Sequence, residues 1–561
     1  MKLYKSDYFL FFLILVISIF FVSDLFLFSG RPATFDSNFH ITNIAQFSKI
    51  IGQGEVPVIW MNNFANYGIP MGIFAHQLTS YLGGVIIFLI HDPVLSYNLL
   101  VFIAIFLSNI FLYLFLRLYF SQLASFLGTF IFSFTPYHVF NIYVRGAMPE
   151  VFSGIFLPLI LIAFYLFIVK KKTYSLFLIT LFIAGLTLNH PMMLIVYSLF
   201  FIPYLFFLLI TSSLSITSRI KVLIAASFSM MLGLLICSYY IIPLFFEIKY
   251  FYYGLIKNHI TANSYLSILN FLDPRWYYFT KSEIFPRGHI VMFGLAESTV
   301  LILGFLYIFI ERFIQKTQEN TQVLLFALAT AALLIFFTTK YSDIFFQHLF
   351  FLNDIQFPWR FLSGLIFLPP IVASYLYDRF PKKIIIVMFV IAVVCFSFPQ
   401  LYGKNYNIYS SGSYLYSKEN AHSVLMNTIW TGKSEDYPDK NKQGEIIDGQ
   451  GKIIKQTLKN SSRSYQIDAK TPLQMVDRTF YFPGWNVYID GVKTGIQFQN
   501  PNYRGVITYN VPTGNHLVSL IFQDTKIRFL GKILSIVFLL IFIVLFFLKE
   551  KINRALNIFQ A

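Results

Sequence analysis

Long apolar segments recur along almost the whole of this chain, and they restrict its fold more than any other feature. Of the 561 residues, 57% are hydrophobic and 12% are charged, whereas soluble domains carry about 25% charged residues. Many segments reach the roughly 18 residues that mark a membrane-spanning helix. Because a helix satisfies its own backbone hydrogen bonds inside a bilayer, the sequence predicts a polytopic α-helical membrane protein.

The predicted spans lie at about Tyr8–Phe28, Ser96–Leu116, Leu123–Phe140, Val151–Val169, Tyr174–Leu188, Met192–Ile210, Val222–Phe246, Ile290–Ile310, Gln322–Thr338, Phe361–Leu376, Ile384–Pro399 and Phe529–Leu548. A further apolar run, Leu78–Ile90, is shorter than the roughly 20 residues that a span needs. If this run lies at the interface, the following basic residues all fall in connections on one side: Arg117, Lys170 to Lys172, Arg219 and Lys221, Arg312 and Lys316, Arg379 to Lys383, and Lys549 to Arg554. The predicted outer connection Glu247–His289 is the exception, with Lys249, Lys257, Arg275, Lys281 and Arg287, and the rule weakens there because so long a connection forms a small folded region. The positive-inside rule then predicts about twelve spans and two cytoplasmic termini in a cell membrane.

The net charge of +16 follows from these basic connections. We therefore expect membrane lipids around the protein and no nucleic-acid partner.

Residues 404–526 differ in kind from the rest of the chain. Charge rises there, apolar runs shorten, and turn signals such as Pro483-Gly484 and Asp490-Gly491 cluster. Alternating patterns predict strands at Ser464–Asp468, Trp485–Ile489, Gly505–Tyr509 and His516–Phe522. We expect an extracytoplasmic all-β domain, a sandwich, between a transmembrane domain (1–403) and a last transmembrane helix with a basic cytoplasmic tail (527–561).

A long polar segment follows the first predicted span and needs an explanation in so apolar a chain. The first outer loop, residues 29–95, places Asp36 and His40 just beyond the membrane surface. Acids, histidines and arginines concentrate in this and the other connections predicted outside, which suggests one outward-facing site. The candidates are Asp36, His40, His138, Arg145, Glu150, His190, Glu247 and Arg360.

Each candidate also has a structural explanation. Asp36 could cap the helix that follows it. Glu150 could be a first-turn acid that the helix dipole favours, and Arg145 could reach along the lipid to the interface. Interfacial hydrogen bonding or aromatic anchoring could explain the others, which are His138, His190 and Gln356-Phe-Pro-Trp-Arg360. The common side of the set is a stronger argument than any one member.

A series of motifs in this order is typical of a known group of proteins. They are Asp36, Gly54–Trp60, Asn66–Pro70, Arg145–Glu150, Asn189–Pro191, Gln356–Arg360, Tyr481–Gly491 and Val511–His516. In these motifs the chain resembles the GT-C membrane glycosyltransferases. It is most similar to the membrane proteins named for a "6-pyruvoyl-tetrahydropterin synthase-related" domain and to the YfhO-like proteins. The resemblance covers nearly the whole chain.

The resemblance implies hexosyl or pentosyl transfer from a polyprenyl-phosphate-linked donor to a cell-envelope glycan, lipid or protein. Asp36 would take the proton of the acceptor hydroxyl or orient the acceptor, and Glu150 would be a second acid that helps to position the acceptor or binds a divalent cation. Arg145 and Arg360 would stabilise the departing lipid phosphate. The remaining substrate-binding candidates are His40, His138, His190 and Glu247.

The cofactor and the activity itself stay open from the residues alone. Many GT-C enzymes have paired acids in the first loop, whereas Asp36 is followed by Ser37. No cofactor is therefore certain, and a divalent cation such as Mg²⁺ or Mn²⁺ on Asp36 and Glu150 is an open possibility. The alternatives to an enzyme are a transporter or flippase of lipid-linked sugars and a membrane scaffold whose β domain binds glycan.

Overall fold

The computed structural model describes residues 5–64, 66–252, 265–272, 293–311, 321–380, 384, 406–408, 412–416, 427–432, 436–438 and 440–550. Three features of the sequence analysis fall largely outside these residues. They are the predicted span Ile384–Pro399, most of the predicted outer connection Glu247–His289, and the expected domain boundary near Lys404.

Helices make up most of the described chain before residue 380, and two further helices follow it. They are α1 (Lys5–Val22), α2 (Asp24–Leu27), α3 (Ser37–Gly52), α4 (Gln77–Ile90), α5 (Pro93–Leu116), α6 (Gln122–Ser133), α7 (Pro136–Val139), α8 (Met148–Ser153), α9 (Phe156–Ile168), α10 (Ser175–Asn189), α11 (Pro191–Thr211), α12 (Ile216–Ile236), α13 (Ser238–Glu247), α14 (Leu295–Phe309), α15 (Gln322–Thr338), α16 (Asp343–His348), α17 (Leu362–Leu365), α18 (Leu368–Arg379), α19 (Ser413–Tyr416) and α20 (Lys526–Phe547). A π-helix at Phe140–Arg145 extends α7. Short 3-10 helices lie at Met71–Ile73, Ile248–Tyr250, Ile268–Phe271, Lys340–Ser342, Phe350–Ile355, Pro358–Phe361 and Pro501–Tyr503.

Six helical segments in the described chain are long and apolar enough to cross a membrane. They are Pro93–Leu116, Met148–Ile168, Pro191–Thr211, Ile216–Ile236, Pro358–Arg379 and Lys526–Phe547. Two bent pairs raise the number to eight if each is one span: α6 with Pro136–Arg145, bent by 43°, and α15 with Lys340–His348, bent by 82°. The predicted helical architecture agrees with these segments, and the count of about twelve stays a prediction.

Two helices of the first outer loop, α3 and α4, pack on each other at two neighbouring glycines of α4. A Cβ atom on Gly83 would lie 2.5 Å from Ile44 of α3, and one on Gly84 would lie 3.0 Å from the backbone nitrogen of Ser48. This close approach is open only to glycine. The short apolar run that the sequence placed at the interface is therefore one half of a helix pair, with the helix that begins after Asp36 as the other half.

The described strands form two antiparallel sheets in the C-terminal part and one separate pair. The strands are β1 (Arg31–Pro32), β2 (Tyr406–Asn407), β3 (Gly444–Asp448), β4 (Gly451–Leu458), β5 (Ser462–Ala469), β6 (Leu473–Phe480), β7 (Trp485–Ile489), β8 (Val492–Thr494), β9 (Val506–Val511) and β10 (Gly514–Phe522). Their order is β4-β5-β10-β7-β8 in one sheet and β3-β6-β9 in the other, while β1 pairs with β2. The four strands predicted by alternation are present. Positive φ angles of 51° at Asp490 and 84° at Gly491 form the predicted turn between β7 and β8.

The first outer loop shares a hydrophobic core with these sheets. Trp60, which is buried, packs edge-on against Trp485 at 5.2 Å between ring centroids and also contacts Phe522 at 5.3 Å. Polar contacts surround this core: Lys440 donates to the backbone oxygen of Asn62 at 2.9 Å. The loop that carries Asp36 is thus attached to the β region as well as to the helices.

We expect Trp60→Ala to lower the free energy of unfolding by about 3–5 kcal/mol, the usual cost of deleting a buried aromatic side chain. Thermal denaturation of the full-length protein in detergent measures the change. Val56→Ala in the same loop is the matched control, because Val56 is 67% exposed, and it should have little effect. Equal effects of the two substitutions would contradict the shared core.

A surface pair at the β7–β8 turn gives a pH prediction. His516 Nδ1 lies 2.6 Å from Asp490 Oδ2. This contact raises the pKa of His516, and the pKa of Asp490 is lowered by it and by the backbone amide of Leu517. The stabilisation is therefore complete between about pH 4 and 6.5, the unfolded values of Asp and His. It is lost as the pH falls through the lowered Asp490 pKa or rises through the raised His516 pKa.

The measurement is a nuclear magnetic resonance titration of the full-length protein labelled at histidine. We expect the His516 signal, assigned by its loss in His516→Gln, to titrate above pH 6.5 in the wild type. In Asp490→Asn the same signal should return toward about 6.5. An equal midpoint in both proteins would contradict the pairing.

Candidate functional site

A sharp turn between two helical segments positions Arg145 and Glu150. The π-helix ends at Arg145, and Gly146 with φ of +69° reverses the chain. A Cβ atom at Gly146 would collide with Thr34 and with the backbone nitrogen of Ser37. The next helix then begins at Met148 and carries Glu150 in its first turn. This turn therefore brings the first outer loop, the guanidinium group and the carboxylate together.

Glu150 is completely surrounded by donors. Its Oε1 accepts from Tyr137 at 2.6 Å and from Ser363 at 2.7 Å, with the Asn141 amide at 3.3 Å. Its Oε2 lies 2.7 Å from Arg145 Nη1 and 3.6 Å from Arg360 Nε. Because the side chain of Glu150 is only 1% exposed, this carboxylate is a buried anchor for two guanidinium groups.

The segment Gln356–Arg360 supplies both a cation and a ring to this cluster. Arg360 Nη1 donates to Gln356 Oε1 and to the Ile355 backbone oxygen, each at 2.8 Å. The neighbouring Trp359 ring lies 4.9 Å from the Arg145 guanidinium carbon. This is a cation–π distance, so the segment fixes the orientation of Arg145 as well as that of Arg360.

Asp36 stands on the open side of the same guanidinium group. Its Oδ2 is 3.9 Å from Arg145 Nη2, and its side chain is 43% exposed. Asp36 occupies the N-cap position of α3, yet its side chain makes no capping hydrogen bond. Its backbone nitrogen donates to the Arg145 backbone oxygen at 2.6 Å. The capping explanation thus accounts for its position in the chain, while the carboxylate is directed to Arg145.

Three histidines from three separate elements form a row beside the arginines. The ring centroids of His40 and His76 are 5.5 Å apart, and those of His76 and His190 are 4.5 Å apart. Burial, together with the charge of Arg360, lowers the pKa of His76 to about 4, although the contact with the Asn189 backbone oxygen acts in the opposite direction. Burial also lowers the pKa of His190, and the neighbouring His76 is the next largest cause of this lowering. Both rings are therefore neutral near pH 7.

Two candidates are not part of the described contacts of this cluster. His138 Nδ1 lies 3.0 Å from the Phe132 backbone oxygen, and its ring packs on that of Phe132. Glu247 accepts from Thr525 at 2.8 Å and from Arg528 Nε at 2.9 Å, and thereby attaches the C-terminal helix to α13. For His138 and Glu247 the structure thus shows the contacts of helix packing. The other six candidates are brought together.

Helices that start at the cluster end in basic connections. Tyr97, near the start of α5, donates to the Gly146 oxygen at 3.0 Å, and α5 ends before Arg117. The spans that start near Glu150, His190 and Arg360 lead in the same way to the connections with Lys170 to Lys172, Arg219 and Arg379. The cluster and the basic residues therefore occupy opposite ends of these spans.

The residues do not fit the divalent cation considered from the sequence. Both oxygens of Glu150 are already engaged by side-chain donors. In the part of the chain that the structure describes, no group of three His, Cys, Asp or Glu side chains is placed to hold a metal ion. Asp36 and Glu150 are thus linked through Arg145, and the chemistry of this pair is that of carboxylates on guanidinium groups.

Comparison with known proteins places the chain in a family. The family model described as "6-pyruvoyl-tetrahydropterin synthase related domain; membrane protein" matches residues 76–403, more than half of the chain. The chain belongs to this family. The resemblance to that family is thereby confirmed, as is the prediction of a membrane protein. No curated protein matches the chain.

Among solved structures, the archaeal oligosaccharyltransferase AglB from Archaeoglobus fulgidus, in complex with an inhibitory peptide and a dolichol-phosphate, aligns at 12% identity with a TM-score of 0.39. The alignment covers 78% of this chain and 60% of that chain.

Three residues of the cluster, Ser363, Asn141 and His76, were not among the candidates from the sequence. Ser363 lies three residues after Arg360, and Asn141 lies four residues before Arg145. Both spacings put the side chains on one helical face, so helical periodicity could have found them. His76 precedes a short apolar helix and has no local signal that connects it with His190.

We expect Glu150→Gln to destabilise the protein by about 3–5 kcal/mol, because it removes the buried negative charge that both guanidinium groups contact. Glu445→Gln is the matched control: Glu445 has the same 2.7 Å contact with an arginine, but its side chain is 40% exposed. A surface pair of this kind contributes about 0–1 kcal/mol. Chemical or thermal denaturation of both full-length variants measures the difference, and equal effects would contradict the anchoring role of Glu150.

Proposed function

We propose that this chain is a membrane glycosyltransferase of the GT-C type. It transfers a sugar from a polyprenyl-phosphate-linked donor to a glycan, lipid or protein acceptor on the outer face of the cytoplasmic membrane. One observation carries the proposal: a pair of buried guanidinium groups, Arg145 and Arg360, shares one buried carboxylate, and a second, accessible carboxylate faces the same pair.

The charges of this arrangement suit a phosphate leaving group. Glu150 carries one negative charge, and the two guanidinium groups that it contacts lie at 2.7 and 3.6 Å from its Oε2 atom. The contact of Asp36 at 3.9 Å is longer than a hydrogen bond, and an incoming anion could replace it at Arg145. Guanidinium groups bind phosphate oxygens with paired hydrogen bonds, and a fixed positive charge stabilises negative charge that develops in a transition state.

The transfer step then needs a proton acceptor. Asp36 takes the proton from the acceptor hydroxyl, while the oxygen of that hydroxyl forms the new bond to C1 of the sugar. The bond between C1 and the phosphate oxygen breaks, and the polyprenyl phosphate leaves with the electron pair. Arg145 and Arg360 stabilise that charge. Glu150 is buried and both of its oxygens already accept from side-chain donors, so its role is to position the two arginines.

The outer location of the site is part of the proposal. The basic connections lie at the ends of the spans opposite to the cluster, and such connections face the cytoplasm in most membrane proteins. Both termini are then cytoplasmic, and the cluster and the β region are outside. The expected β sandwich, with the boundaries 404–526, covers this outer face through the first outer loop.

The first test is donor profiling with the purified full-length protein. The donors are polyprenyl phosphates that carry glucose, galactose, mannose, N-acetylglucosamine or arabinose, with a cell-envelope fraction as the acceptor. Transfer of at least one sugar supports the proposal, and transfer that persists with a chelator fits guanidinium rather than metal catalysis. Movement of lipid-linked sugars across liposomes without any transfer would contradict it and favour a flippase.

We expect Asp36→Asn to lower kcat by about 100-fold or more, the usual contribution of a general base, with little change in donor binding. Asp92→Asn is the matched control, because Asp92 is the N-cap residue of α5 and its Oδ1 accepts from Val94 and Leu95. Asparagine keeps that cap, so transfer should be unchanged. Undiminished transfer by folded Asp36→Asn would overturn the assigned role.

A further inference from the structure

His76 is the central ring of the three-histidine row, and neither the motifs nor the proposed reaction gives it a role. It lies in the turn before α4, partly exposed, whereas the flanking rings of His40 and His190 are buried. The two contacts, at 5.5 and 4.5 Å between centroids, hold the ring from both sides. Its plane is therefore fixed by packing.

A backbone contact fixes the tautomer of His76. Its Nδ1 lies 3.0 Å from the backbone oxygen of Asn189. A carbonyl oxygen only accepts, so Nδ1 carries the proton and Nε2 of the neutral ring keeps its lone pair. The Asn189 amide is itself fixed, because it donates to the Pro149 oxygen and to Ser153, each at 2.8 Å. The acceptor of His76 is thus connected rigidly to the helix of Glu150.

The surroundings keep this ring neutral. Burial lowers the pKa of His76 to about 4, and the charge of Arg360 acts in the same direction, while the Asn189 backbone contact and Glu150 act in the opposite direction. The other titratable groups that face the ring are His40 and His190. Orientation, tautomer and charge state are therefore restrained independently, and all three restraints act on the one lone pair of Nε2.

Helix packing explains only half of this arrangement. The Nδ1 contact closes the end of α10 onto the turn before α4, and a structural role would need nothing more. In the described part of the chain, however, Nε2 has no hydrogen-bond partner in the protein. The neighbouring His190 Nδ1 is buried and has no partner either. Buried polar atoms are almost always paired, so the unpartnered His190 Nδ1, whose ring lies 4.5 Å between centroids from that of the partly exposed His76, indicates a ligand position beside Nε2.

The chemistry of the position defines its ligand. A neutral acceptor beside two guanidinium groups disfavours a cation and cannot bind a phosphate oxygen, which also only accepts. A neutral hydroxyl donor satisfies it. We infer that His76 Nε2 binds a hydroxyl group of the sugar whose phosphate is held by Arg145 and Arg360, so that His76 is a sugar-recognising residue. This inference rests on the proposed glycosyl transfer, since it assumes a sugar linked to that phosphate.

The test compares two lipids on three full-length proteins. The probes are polyprenyl phosphate alone and the polyprenyl-phosphate sugar of the donor panel that the wild type binds most tightly. We expect His76→Asn to weaken binding of the sugar-linked lipid by about 5- to 20-fold, the value of one hydrogen bond in a site, and to leave bare polyprenyl phosphate unchanged. His76→Gln places an amide oxygen near the position of Nε2 and should recover most of the loss.

A matched substitution and a deoxy-sugar series complete the test. His348 Nδ1 makes the same kind of contact, 2.8 Å from the Ile344 oxygen, on an exposed helix, so His348→Asn should change neither affinity. One monodeoxy analogue of the sugar should lose the same factor in the wild type and no further factor in His76→Asn, as expected for two partners of one hydrogen bond.

The outcomes separate this inference from the proposed function. Equal weakening of both lipids by His76→Asn, or no weakening, overturns the sugar contact even where the wild type transfers sugar. Equal affinity of the wild type for the two lipids overturns it as well. Absence of transfer by the wild type overturns the proposed function, while the binding difference can still be measured. A wild type that binds neither lipid overturns both.

Discussion

Several of the described helices are organised at one end around a single buried carboxylate. Two arginines cannot be buried next to each other without a counter-ion, because an uncompensated buried charge costs several kcal/mol. Glu150 supplies a counter-ion, and Tyr137, Ser363 and Asn141 donate to its Oε1 atom. These donors come from α7, its π-helical extension and the start of α17. The carboxylate therefore fixes where several helices meet, and the rest of the cluster is built outward from it.

The first outer loop transmits this arrangement to the β region. One end of the loop is bonded to Arg145 through the backbone of Asp36, and its middle is buried in the sheet core through Trp60. A displacement of the sheets would therefore also move Asp36, the accessible carboxylate of the cluster. The loop comes early in the sequence, whereas the strands that hold it come late, so this contact joins distant parts of the chain.

Much of this architecture could be predicted from the sequence because its signals are local. Apolar length gave the helices, alternation gave β5, β7, β9 and β10, and Asp490-Gly491 gave a turn. The breaks within predicted spans were harder: Pro136 interrupts one, and α12 and α13 divide another near Cys237. The common side of distant candidates could be predicted from the alternation of spans, whereas their individual contacts could not. Glu247 was grouped with the site, yet its guanidinium partner, Arg528, is 281 residues away, and nothing local distinguishes a packing carboxylate from a catalytic one.

The structural and the functional explanations of the site residues turn out to describe different parts of the same residue. Asp36 stands at a helix N-cap and Glu150 in a first turn, as the structural explanations require. Their carboxylates nevertheless contact guanidinium groups rather than the amides of their own helices. A helix terminus determines where a side chain leaves the backbone, and the partner determines what the side chain does. Alternate connections between spans lie at the same end of the helices, so the helix termini bring acids, histidines and arginines to one side. Among these residues, the buried Glu150 carboxylate determines the site, because it draws Arg145 and Arg360 together.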